Sequence, residues 1–214
     1  GRMSATSCPL ASMIDTDPRK VPVQRRARET VRAMLDATAH ILARGEPITT
    51  NRIAEVAGVS IGSLYQYFPT KEALVAALVE RMLADDLQWL AGALTEEPLR
   101  DQLPRIVAEV CERQARQAPL MGAVLPLLPV VQRDEVARRA FAEMAQWLSA
   151  RLAHEPGLRP ELADPHRRQK AVFVVSRSLR WSLNEATLAH PEWLTDPAFQ
   201  AELVMLFDQL WAQG

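Results

Sequence analysis

Apolar and polar positions alternate with helical spacing along nearly the whole chain. Over about Val23 to Arg44, the residues Val31, Met34, Leu35, Thr38, Ile41 and Leu42 fall on one helix face. Gly45-Glu46-Pro47 stops that helix. A short one follows, about Asn51 to Ala57, with Thr49 or Thr50 placed to cap it and Ile53, Val56 and Ala57 facing inward. In Gly58-Val59-Ser60 the glycine can take the left-handed conformation that ends a helix. The valine plugs the corner, and the serine caps a third helix, about Ile61 to Phe68. Pro69 breaks the pattern again, and Thr70 caps a fourth helix from Lys71 to about Ala93.

Prolines divide the remainder into further helices. These are expected over about Pro98 to Gln117, Pro119 to Leu128, Arg133 to His154, His166 to His190 and Asp196 to Ala212. The proline-rich stretch Glu155 to Pro165 is expected to be a loop. Residues 1–22 mix Ser, Thr, Asp and Pro without periodicity and are expected to form a flexible arm. The expected class is therefore all-α. A three-helix helix-turn-helix domain over 23–70 precedes a larger helical domain over 71–214.

Charge changes this picture by its distribution. The 214 residues carry a net charge of only -1. Up to Ala73, ten Lys/Arg stand against seven Asp/Glu, and beyond it fifteen stand against nineteen. A basic N-terminal part joined to an acidic remainder suggests that one end meets a polyanion. Arg25, Arg26, Arg28 and Arg32 crowd the start of the first helix, where cations oppose the helix dipole. Either an external anion or a plainly solvated basic face accounts for them.

Other chemistry is excluded by what the spacings lack. Cys8 and Cys111 lie far apart and form no metal or redox motif. His40, His154, His166 and His190 show no ligand spacing, so neither a metal site nor a cofactor is expected. No nucleophile-base pair or phosphate loop supports an enzyme. No apolar stretch reaches the roughly 18 residues of a membrane span, and no signal peptide is visible, so the expected compartment is the cytoplasm.

A short helix, a glycine turn and a second short helix form the helix-turn-helix geometry. The second helix enters a major groove about 12 Å wide, which asks for small residues at its start and hydrogen-bonding ones beyond. Ser60, Gly62 and Ser63 are small, whereas Tyr65, Gln66 and Tyr67 can bond phosphates or base edges. Leu64 and Phe68 anchor the helix, and Ile61 fits either side.

The stretch from Ile48 to Leu74, and above all its ending Leu64-Tyr65-Gln66-Tyr67-Phe68-Pro69-Thr70-Lys71-Glu72-Ala73-Leu74, resembles the DNA-binding signature of TetR-type transcriptional regulators. The resemblance covers about Arg25 to Met82. It implies a homodimeric repressor, with phosphate contacts from Thr50, Tyr65, Tyr67 and Lys71. Ser60, Ile61, Gly62 and Ser63 would face the groove, and Asn51, Arg52 and Gln66 would reach phosphate or a base edge. Arg25 and Arg26 would belong to a basic arm beside the groove.

The resemblance also implies a small-molecule pocket among the later helices. Candidate linings are Trp89, Met121, Leu125, Phe141, Met144, Trp147, Phe173, Arg177 and Trp181, which suit an apolar effector. The last two helices would pair with their copies in a dimer. The pattern agrees, because both are apolar over more than one face and need burial on two sides. A DNA-binding activator or interaction module without a small ligand is the alternative.

Overall fold

The computed structural model describes residues 21–127 and 134–212. The arm expected over 1–22 lies outside them except for its last two residues, which open the first helix. Among the described residues there are eight α-helices. These are α1 (Val21–Ala43), α2 (Thr50–Ala57), α3 (Ile61–Tyr67), α4 (Lys71–Ala93), α5 (Leu99–Val124), α6 (Asp134–Leu152), α7 (Pro165–Ala189) and α8 (Pro197–Asp208). The all-α class follows from a sequence rich in good helix formers and poor in β-branched runs.

The chain divides into two compact units. One takes the described residues up to Asp86 together with 119–137, and the other takes Leu87–Ala118 and the residues from Arg138 on. In the first unit, Met34 and Ile41 of α1, Ile53 of α2, Leu64 of α3, and Leu74 and Leu78 of α4 meet in one fully buried cluster. Each such side chain contributes about 1.5–3 kcal/mol by leaving water. Thr38 is buried among them with its hydroxyl donated to the Met34 carbonyl at 2.8 Å, so the polar group costs little. Arg81 Nη1 on α4 donates to Asp36 Oδ1 on α1 at 2.7 Å.

Two expectations fail in this unit for packing reasons. Val56 is exposed, while Ala54 is buried beside Ile53. The inward face of so short a helix is centred on the 53–54 pair. The break expected at Pro119 is also absent, because α5 runs through it to Val124. Proline removes one helical hydrogen bond. Leu120, Ala123 and Val124 beyond it still pack into the first unit's core, and that burial outweighs the local penalty.

In the second unit, Leu99, Leu103, Leu152, Leu162, Val172, Val175, Phe207, Leu210 and Trp211 form the main cluster. The last helix ends at Asp208 rather than near Ala212. The chain then folds back, and Trp211 bridges to Leu158. Gly157, at φ 72°, brings its backbone close to the Trp211 ring, where a Cβ would lie 3.7 Å from it. The expected 155–165 loop is thus a bridge followed by a 3-10 turn over Pro160–Ala163. Glu155 Oε2 accepts from Leu99 N at 2.8 Å, satisfying a free N–H at the start of α5.

Candidate nucleic-acid interface

Local rules place the two short helices. Thr49, in extended conformation, accepts the Arg52 N–H at 3.2 Å and so caps α2. That leaves the Thr50 hydroxyl outside the cap. Gly58 stops the helix at φ 67° and ψ 31°. Its N–H reaches Glu55 O at 3.2 Å, and Val59 N reaches Ala54 O at 3.0 Å, the paired bonds of a left-handed helix stop. Val59 packs against the core. Ser60 then caps α3, its Oγ accepting the Ser63 N–H at 3.0 Å.

Leu64 and Phe68 pin α3 inward. Ile61, Gly62, Tyr65, Gln66 and Tyr67 are all exposed, and Ser63 is half-buried. The two possibilities for Ile61 thereby resolve outward. The Ser60 and Ser63 hydroxyls lie 2.8 Å apart. Across the turn, Thr50 Oγ1 and Tyr65 OH lie 3.1 Å apart, so α2 and α3 each bring a hydroxyl to one point. Asn51 is exposed beside Thr50, and Lys71 is exposed at the start of α4. These polar and small groups leave donors facing solvent, a surface that can meet an anion and approach it closely.

Cations near this surface are partly engaged. Arg25 Nε sits 3.0 Å from Glu29, and Arg32 Nε sits 3.9 Å from Asp36. Carboxylates one turn along the same helix thus face Arg25 and Arg32, and Arg26 is exposed. Arg52, expected to reach DNA, lies between Glu55 at 3.1 Å and Glu46 at 3.4 Å. The Arg44 hydrogen bond, aided by Arg52, holds the Glu46 carboxyl below its ordinary range. Glu55 and Glu46 raise Arg52 in turn. Sequence reasoning missed Glu46 and Glu55. The three-residue spacing of Arg52 and Glu55 was a legible signal, but the reach of Glu46 depends on how the loop folds.

The expected pocket residues fall in both units. Met121 and Leu125 belong to the first unit, and Trp89, Met144, Trp147, Phe173, Arg177 and Trp181 belong to the second. Trp89, Met121, Leu125, Met144 and Trp147 are half-buried, with the Arg113 guanidinium 4.8 Å over the Trp89 ring. Phe173 and Trp181 stand out of the fold, because Val172, Val175, Leu183 and Ala186 take the inward face of α7. Arg177 lies over the Phe173 ring at 5.5 Å. The side chain of Phe141 lies outside the described residues. Among the described residues, no three His, Cys, Asp or Glu side chains gather to hold a metal, and no helix is long and apolar enough to cross a membrane.

Residues 35–78 match the model of the tetR family of bacterial regulatory proteins. The nucleoid occlusion factor SlmA of Actinobacillus pleuropneumoniae serotype 5b is 51% identical over 107 residues, which are 50% of this chain and 53% of that protein. SlmA of Glaesserella parasuis serovar 5 is 27% identical over 101 residues, 47% of this chain and 50% of that one. The chain spans about half the length of the curated relatives it matches. A TetR transcriptional regulator from Rhodococcus sp. RHA1 superposes with a TM-score of 0.57 at 16% identity, covering 86% of this chain and 97% of its own. A TetR-family protein from Mesorhizobium loti MAFF303099 superposes with a TM-score of 0.60 at 18% identity, covering 91% and 100%. These two likenesses concern the fold.

Proposed function

Because residues 35–78, the helix-turn-helix head, match the model of the tetR family of bacterial regulatory proteins, we propose that this chain is a DNA-binding transcriptional regulator. It acts as a homodimeric repressor that a small apolar effector releases from a palindromic operator. The observation that carries the reading is the paired surface of α2 and α3. A capped short helix and a glycine stop lead to a second capped helix, whose exposed face bears Ile61, Gly62, Tyr65, Gln66 and Tyr67.

In this reading Thr50, Tyr65, Tyr67 and Lys71 donate to phosphates and fix the register. Ser60, Ile61, Gly62 and Ser63 lie against the groove floor. Ile61 can touch only a thymine methyl or another apolar edge. Asn51 and Gln66 flank them. With few long base-reading side chains, groove shape and half-site spacing carry much of the specificity.

The second head comes from a second copy. Phe173, Val174, Trp181 and Leu188 on α7 and Met205 on α8 are all at least half exposed, an apolar face that a two-fold dimer would bury. Residues 23–70 then serve as the reading domain, and 71–214 as the dimerisation and effector domain. Half-buried Trp89, Met144 and Trp147 are the aromatic and thioether groups an apolar effector would meet. The protein binds rather than turns over its ligands, and it works in the cytoplasm.

Selection of duplexes from a random pool tests this reading, followed by titration of the winner against random DNA. A specific regulator prefers its site by about 10³-fold or more at physiological salt. If no sequence outcompetes random DNA, the reading fails. The similarity to proteins named nucleoid occlusion factor favours a second reading, in which the chain serves the nucleoid rather than a promoter. Genome-wide occupancy separates the two, as one or a few promoter sites or many dispersed ones.

A further inference from the structure

A basic side chain strengthens DNA binding by displacing counterions from phosphates. One already matched by carboxylates has no such gain to offer. Arg52 is matched from two sides. Its Nη1 lies 3.1 Å from Glu55 Oε2, and its Nη2 lies 3.4 Å from Glu46 Oε2. Glu46 is gripped in turn by Arg44, whose Nε is 2.6 Å from Oε1. Arg44, Glu46, Arg52 and Glu55 thus alternate in sign and sum to zero. The Arg52 N–H is fixed as well, donated to the Thr49 cap. This chain of charges crosses the N-terminal end of α2, next to Thr50 and Asn51.

A single exposed ion pair is weak. Here three pairs share two central residues, so each further pair orders less side chain. Transfer of Arg52 to a phosphate would also leave Glu55 unmatched and Glu46 with Arg44 alone, two carboxylates near a polyanion. They would stand well within the Debye length, about 8 Å at physiological salt, where their repulsion offsets the attraction between guanidinium and phosphate.

We infer that Glu46 and Glu55 hold the Arg52 guanidinium as an internal counter-charge at the edge of the DNA-facing surface, so that Arg52 does not pair with phosphate and the two carboxylates limit the head's sequence-independent affinity for duplex DNA. The inference rests on the DNA-binding reading. It gives the head a way to suppress random binding without altering a base contact, because the repulsion acts on every sequence alike.

The test measures binding of the full chain to a random-sequence duplex across a salt series. Arg52→Gln with Glu55→Gln removes a matched pair and keeps the net charge. Its affinity should stay within about twofold of the unmodified protein, with an unchanged salt slope. Glu46→Gln with Glu55→Gln releases Arg52 to pair with one phosphate. Its slope should steepen by about 0.9 for each head engaged, which tightens binding about eightfold per head at 0.1 M salt. The inference is overturned if the matched-pair variant loses about eightfold with a shallower slope, since Arg52 then contacts phosphate. It is equally overturned if the released variant binds as before. An unmodified protein that binds no duplex at all overturns the DNA-binding reading and this inference together.

Discussion

Replacement of Trp181 by alanine should dismantle the proposed dimer and leave the protomer folded. Phe173, Arg177, Trp181 and Leu188 follow one another at intervals of four, four and seven along α7, so they share one helix face. Among the described residues, Trp181 is the most exposed large apolar residue, at 71%. A tryptophan offers about 150–250 Å² for burial, so about 110–180 Å² remains for a partner. At ~25 cal/mol per Å² that is about 3–4.5 kcal/mol for each copy, and two-fold symmetry presents it twice. Ordering and association costs consume much of this. The expected loss is about 2–4 kcal/mol for the dimer, the range of an interface hot spot. The dissociation constant should rise roughly 30- to 700-fold. Sedimentation equilibrium across a dilution series reads it directly. Circular dichroism should stay unchanged, because Val172, Val175, Leu183 and Ala186 hold the inner face of α7. A dimer constant within threefold (about 0.6 kcal/mol) of the original would refute the argument, as would loss of helicity in the variant.

Three further outcomes test the head and the core. Gly58→Ala meets no atom within 4 Å but must hold φ at +67°. Its cost should therefore be the left-handed backbone penalty alone, about 1–2 kcal/mol by urea unfolding, and a loss above about 4 kcal/mol would point to packing instead. Tyr65→Phe removes a hydroxyl 3.1 Å from that of Thr50. It should weaken selected and random duplexes by the same factor, roughly 3- to 10-fold, whereas loss on one sequence only would contradict a phosphate role. Burial pushes the Cys111 thiol up to about 11 from 9.0. Its contribution to stability is fully present below pH 9 and fades as pH rises through 9 to 11, since the unfolded thiol ionises first. Cys111→Ala should abolish that component of the alkaline unfolding profile, and alkylation of Cys111 at pH 8 should require unfolding.

The head was legible because its rules are local. A cap, a glycine stop and apolar positions three or four apart determine α2 and α3, and both begin and end within one residue of the expected bounds. Helix α5 shows where such rules end. Pro119 signals a stop in any local reading, and only packing on both sides of it explains a continuous helix. The two apolar faces of α7 could be read from the sequence, but their uses could not. Val172 and Phe173 are adjacent and alike in hydropathy, yet one is buried and the other is 56% exposed. The difference comes from the direction in which α7 presents itself to α8 and to the turn before it, and spacing does not encode that.

Charge shows the same limit with a consequence for function. Counting residues gives the N-terminal part a basic excess of three, which suggests a head driven onto DNA by its arginines. In the fold, Arg25 faces Glu29, Arg32 and Arg81 face Asp36, and Arg44 and Arg52 share Glu46. Cations so matched gain little by approaching phosphate. In the proposed reading the groups left to gain are neutral: the half-buried Thr50 hydroxyl and that of exposed Tyr65, 3.1 Å apart, and that of exposed Tyr67, with Lys71 as a charged companion. Neutral hydrogen bonds depend steeply on distance and angle, whereas a mobile cation accepts many geometries. A head that binds through short, oriented hydroxyls therefore demands the right backbone shape from its DNA. In the proposed reading this is the discrimination available to α3, whose outward residues are chiefly small, apolar or aromatic.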